Sequence, residues 1–167
     1  WTQTEPKLKD YVKDFGAKWN LIGESILRKM SELAKRPWKQ RCINVHFVDC
    51  LYGASAWVSD VAVPPFPDFD VETKLLAHEL AHTLTPDYFL KPLLKRFQLD
   101  VGIAHTIVDL VAYFSIKEHV SDPNRRGIKS NPNYYKNVES LYPIFERCDK
   151  FPNTYKSLAD ILRQLKK

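Results

Sequence analysis

The sequence predicts an α+β fold in which a small, mainly antiparallel sheet packs beside a helical bundle. Three observations predict it. Residues 6–35 repeat apolar positions at threes and fours, residues 41–63 change to alternation and β-branched residues, and residues 68–165 return to helical spacing punctuated by prolines and one polar loop. With 167 residues, 44% apolar and 13% aromatic, residues 1–167 suffice for a single domain with a sizeable core.

The elements follow in order. Leu8, Val12, Phe15, Trp19, Ile22, Ile26, Leu27, Met30 and Leu33 share one helical face over residues 6–35, and Pro37 sets the end. Over residues 41–49, Ile43, Val45 and Phe47 alternate with Cys42, Asn44 and His46, which predicts a half-buried strand. Gly53 allows a turn, and residues 54–63, carrying Trp57, Val58, Val61 and Val63, predict a second strand that Pro64, Pro65 and Pro67 terminate. Asp68 or Asp70 caps a helix over residues 71–84, which stops before Pro86. A short helix over 88–97 follows, and Asp100 opens an apolar helix reaching about Val120. Residues 121–132, with Asp122, Pro123, Asn124, Gly127, Asn131 and Pro132, have loop chemistry; helices over 134–148 and 154–165 close the chain.

Composition excludes several classes. The excess of 25 Lys and Arg over 20 Asp and Glu is +5 and dispersed, too little to predict a nucleic-acid module. The longest nearly apolar segment, 101–116, is interrupted by His105, Thr106, Asp109 and Ser115, so no membrane span is expected. Three cysteines without a CxxC pair speak against a Cys metal site and predict reduced thiols in a cytoplasmic setting. The chain opens on Trp1 rather than Met, as expected of a processed N-terminus.

His78, Glu79, Leu80, Ala81 and His82 spell HExxH on the helix predicted over 71–84. The i, i+4 spacing places both imidazoles about 40° apart on one face, as two ligands of one metal must be. Glu79, about 100° round from His78, stands beside such a metal and can take a proton from a water that the metal acidifies. Leu76, Leu80 and Leu84 lie on roughly the opposite side, which predicts one apolar side for the core and a His/Glu side for a cleft. A shuffled chain of this composition would hold one HExxH with a chance of about 0.7%. The competing reading is an amphipathic helix with two ordinary histidines.

A second feature is independent of that motif. Residues 102–116 are apolar nearly all round, as in a buried helix, yet hold His105 and Asp109 at i, i+4. Buried unpaired polar groups are costly, and a metal with its supporting carboxylate provides partners; a local His105–Asp109 pair is the alternative. Candidates for the third metal ligand are His105, Asp109 and Glu118. Glu118 lies about 20 Å beyond His105 along a continuous helix, and an aspartate side chain is shorter than an imidazole. Spacing therefore favours His105 as ligand and Asp109 as the acceptor that orients a ligand imidazole.

HExxH followed about twenty residues later by a helix carrying a ligand, with a carboxylate four residues on, resembles the zincin metallopeptidases. It most resembles their gluzincin group, whose pattern is HExxH then ExxxD; here His105 stands in the place of the glutamate and Asp109 in that of the aspartate. The resemblance covers residues 41–120. It implies a zincin-like fold with an HExxH active-site helix and an edge strand over the cleft that pairs with extended substrate, for which residues 54–63 are the candidate. The metzincin pattern is absent, since Thr83, Leu84, Thr85, Pro86, Asp87 and Tyr88 follow His82. Small HExxH proteins of the ImmA/IrrE and SprT types are also similar.

The expected activity is that of a zinc-dependent peptidase (a hydrolase). Zn²⁺ is held by His78, His82 and His105, Glu79 acts as general base, and Asp109 supports a ligand histidine. The expected partner is a peptide or protein substrate, without nucleic acid or membrane. The alternative is a zincin-fold regulatory or binding protein with structural zinc and little turnover. Tyr134 or Tyr135 can supply an oxyanion donor, whereas His46, His119 and the four tryptophans Trp1, Trp19, Trp38 and Trp57 are expected to be structural. The first helix is either scaffold or a pro-segment.

Overall fold

The computed structural model describes residues 4–49, 51–57, 59–121 and 132–166; side chains at 4, 132–135 and 166 lie outside that description. Among these residues the fold is α+β, with six α-helices and a three-stranded mixed sheet. Helix α1 (Thr4–Ala34) buries Phe15, Ile26, Met30, Leu33 and Ala34, the C-terminal part of the predicted face, while Val12 nearer its start is exposed. It ends where Lys35 turns left-handed at φ 54°: the Arg36 amide donates to Ser31 O at 3.2 Å and Ser31 Oγ donates to Arg36 O at 2.6 Å. Its buried face belongs to the common core.

Strand β1 (Asn44–Phe47) is shorter than residues 41–49 and its Asn44, Val45 and His46 are exposed, so it is not half-buried as its alternation predicts. The single strand expected over 54–63 is instead a hairpin, β2 (Ser55–Ala56) and β3 (Asp60–Val63), paired antiparallel with Ser55 opposite Ala62. The chain reverses at Trp57, whose amide donates to Asp60 O at 2.8 Å. The strand order is β1-β3-β2, and β1 runs parallel to β3 with Asn44 opposite Asp60 and Phe47 opposite Val63. The sheet is therefore mixed, its longer pairing parallel, which corrects the mainly antiparallel expectation. Val61, Ala62 and Val63 are buried because β3 is central and packs on the helices; Gly53 adopts φ 92° before β2.

Helix α2 (Phe69–Leu84) begins at Asp68, whose Oδ1 accepts from the Asp70 and Val71 amides at 2.8 and 3.1 Å. Asp70 takes a different part: its Oδ2 accepts from the Ser121 amide at 2.8 Å and from Ser121 Oγ, tying the start of α2 to the chain after α4. At the far end Thr85 N and Oγ1 both donate to Ala81 O, and the Arg36 guanidinium donates to Leu84 O at 2.9 Å while lying 3.8 Å from the Phe89 ring centroid. Helix α3 (Asp87–Arg96) buries Leu90 and Leu94. Helix α4 (Ile103–Ile116) starts three residues after Asp100, whose side chain accepts from the Gly102 amide, and is buried on nearly every side. Helix α5 (Pro132–Lys150) follows, and α6 (Leu158–Arg163) starts at its cap Ser157 rather than at Thr154. The loop expected over 121–132 falls, apart from its ends, outside the described residues, as do Trp1, Cys50 and Val58.

One core cluster runs from Phe15 through Val61, Leu76, Leu80, Ile107 and Val111 to Phe145 and Ile161. Helix α2 lies at its centre, packed on α1, α4, β2 and β3. Trp19 and Trp38 pack on this core as expected, but Trp57 is 58% exposed, because the hairpin turn carries it away from the helices. No described helix is long and apolar enough to cross a membrane. Cys42 is exposed and Cys148 buried, and both are free thiols.

Candidate metal centre

The centre forms where α2 packs on α4. On α2, the four-residue spacing brings the rings of His78 and His82 to 4.7 Å between centroids, with their Nε2 atoms 3.1 Å apart. Facing them from α4, His105 has its ring 4.9 Å from His78 and 5.3 Å from His82. One ligand atom from each of the three residues lies within 4.8 Å of the other two, the arrangement needed to surround one small cation. A tetrahedral ion with bonds of about 2.0–2.1 Å separates its ligand nitrogens by roughly 3.4 Å. The His78–His82 spacing is near that value, and closing the third side takes a small movement of the His105 ring. The donor set fits a borderline divalent metal, because neutral imidazole suits zinc and its transition-metal neighbours.

Asp109, one turn beyond His105 on α4, faces both helices. Its Oδ1 lies 2.7 Å from His78 Nδ1 and its Oδ2 lies 3.0 Å from His105 Nδ1. The pair with His105 thus exists, but it is not a self-contained one, since the same carboxylate reaches across to the first motif histidine. With their Nδ1 atoms beside this carboxylate, Nε2 is the ring nitrogen that His78 and His105 would offer to a metal. His82 is held well below the ordinary imidazole pKa of 6.5, at about 4. Burial is the main cause, followed by repulsion from His78 and His105, with Asp109 and Asp87 opposing. At neutral pH His82 is therefore an uncharged donor, as a ligand must be.

The surroundings differ from the expected open cleft. His78 is 2% exposed and Glu79 5% exposed, so the His/Glu side of α2 is covered as well as its leucine side. Solvent meets the cluster through His105, whose side chain is 53% exposed, which corrects the expectation of a buried third residue. Asp109, at 9%, is the buried member of that pair. Glu118, the remote candidate, lies with His119, Arg28 and Glu32 around a 220 Å³ cavity between α1 and α4 and is not part of the cluster. His46 pairs with Asp60 across the sheet, Nε2 to Oδ1 at 3.0 Å, and so is structural. Tyr134 and Tyr135 lie outside the side chains described.

The sequence reading missed Glu72. This carboxylate is fully buried on the first turns of α2, and its Oε2 accepts from the Phe66 amide at 2.8 Å, fastening the proline-bounded segment before the helix. Burial raises its pKa above the usual carboxylate value, against the Phe66 amide and the neighbouring Tyr11 hydroxyl. The only signal for it was a charged residue in a stretch now seen to be buried all round. The segment over 54–63 also divides the substrate-strand expectation. Its C-terminal part, β3, is the central strand with both neighbours in place, so among the described residues it is Ser55 and Ala56 of β2 that lie on an outer edge. Comparison with family models, curated proteins and solved structures finds no match for this chain.

Proposed function

We propose that this protein is a zinc-dependent peptidase whose metal is held by His78, His82 and His105. The observation that carries the reading is the convergence of these three imidazoles, two from HExxH on α2 and one from α4, around one point. A zinc ion held by these three imidazoles would supply Lewis acidity to a water and to the scissile carbonyl. Glu79 follows His78 on the same helix and has no place in the ligand set. It takes the proton of the attacking water and returns it to the leaving amine. Its burial removes competing solvent from that carboxylate. Asp109 holds imidazoles in the orientation and tautomer that ligation requires. A short outer edge at Ser55–Ala56 offers backbone groups to an extended peptide.

A second reading, structural zinc without turnover, draws on the burial of His78 and Glu79. One experiment separates the two. Purified protein should carry close to one zinc per chain, and Glu79→Gln should keep the metal and the fold while abolishing cleavage of a peptide library. Wild-type protein that cannot be loaded with zinc at neutral pH would sink both readings. Zinc-loaded wild-type protein that cleaves no peptide, or cleaves it no faster than Glu79→Gln, would leave the structural reading standing.

A further inference from the structure

We infer that Asp109 is a positioning residue shared by two metal ligands on different helices, so that His78 and His105 gain or lose their ligating orientation together. The inference rests on the metal-site reading above and extends it, since the sequence suggested only that this carboxylate supports one imidazole. Three observations carry it. The two oxygens of one side chain are used separately, Oδ1 at 2.7 Å from His78 Nδ1 and Oδ2 at 3.0 Å from His105 Nδ1. The carboxylate is 9% exposed, so water competes little for either oxygen. The two histidines come from α2 and α4 and are unequal in exposure, 2% for the His78 residue against 53% for the His105 side chain.

That inequality gives the shared carboxylate its use. Burial restricts the His78 ring but leaves its tautomer to the group beside Nδ1. A half-exposed imidazole has rotamer freedom and both tautomers open to it, and nothing in its own burial makes it a good third ligand. Donation from Nδ1–H to a carboxylate that is already held by the core fixes both its ring plane and its tautomer, leaving the Nε2 lone pair outward. An asparagine of the same shape has one acceptor oxygen and one NH₂ group, so it can serve one imidazole in this way and turns the other towards the Nε2–H tautomer, which cannot ligate. Asp109 therefore couples the exposed ligand to the buried His78, and through it α4 to α2.

The test uses two measurements. In metal-free wild-type protein at neutral pH, long-range ¹H–¹⁵N spectra of the imidazoles should show both His78 and His105 as Nδ1–H tautomers. Zinc affinity is then measured by chelator competition for wild type, Asp109→Asn, His105→Ala and the double variant, with circular dichroism confirming each fold. Each supported ligand is worth roughly ten- to a hundredfold in affinity. The loss caused by Asp109→Asn should accordingly be at least about tenfold larger in the wild-type background than in the His105→Ala background. Equal losses in the two backgrounds would mean that Asp109 serves His78 alone and would overturn the inference; whether it serves His105 alone is decided by the tautomers. An Nε2–H tautomer at either histidine also overturns it. Absence of any zinc binding by wild type would defeat the metal reading instead, and the tautomers of the metal-free protein would still decide whether the carboxylate is shared.

Discussion

Acid should destabilise the metal-free protein through His82 before most of its carboxylates respond. In the unfolded chain this imidazole takes a proton near its ordinary pKa of 6.5, whereas in the fold burial and the neighbouring imidazoles lower that value to about 4. Above 6.5 both states are neutral at this position and it has no effect. As pH falls through the window from 6.5 to 4, the unfolded chain binds a proton that the folded one refuses, so stability drops; below about 4 both are charged and the loss is complete. The gap corresponds to a loss of about 2 kcal/mol near pH 5 and about 3 kcal/mol at the acid end, at 1.4 kcal/mol per pH unit. Urea unfolding of metal-free wild type and His82→Gln, followed by circular dichroism across this window, reads the effect directly. Wild type should lose about 2 kcal/mol more than the variant between neutral pH and about pH 5. Parallel stability curves for the two proteins would refute the argument. With zinc bound, the same protons compete with the metal, so loaded protein should hold its stability further into acid and then release the ion.

Two further outcomes concern the scaffold. Gly23→Ala, ordinarily a gain of about 1 kcal/mol inside a helix, should instead destabilise by about 1–3 kcal/mol in thermal or urea unfolding. A Cβ there would lie 2.4 Å from Trp19 Nε1, and that ring is part of the Phe15–Trp19 stack, so it cannot step aside freely; a stabilised variant would contradict this. Iodoacetamide should label Cys42 in the native protein, while Cys148, buried and with its thiol pushed up to about 11, should react only on unfolding. Mass mapping that finds both labelled at similar rates under native conditions would show that the α5 core opens.

Local chemistry made much of this protein legible. The three-and-four spacing of α1, the Asp68 cap, the Pro86 stop and the return to helix after Asp100 are all decided within a few residues, and each appears close to where the sequence puts it. So does the pairing of His78 with His82, since a single helix fixes the angle between residues four apart. The strands were less legible. Residues 54–63 carry β-formers Trp57, Val58, Val61 and Val63 and no Gly, Pro or Asn, so only Ser59 and Asp60 hint locally at a reversal, and nothing local makes β1 lie parallel to β3. Burial was decided by packing: the His/Glu side of α2 lies against α4, leaving His78 and Glu79 inside and His105 half in water, while Glu72 is buried beside Tyr11 of α1 and the Phe66 amide. The sequence could place His105 and Asp109 on one face of a helix, because that is set by their spacing. That a single carboxylate should also reach His78 on another helix depends on how two helices cross, a long-range geometry that core packing alone fixes.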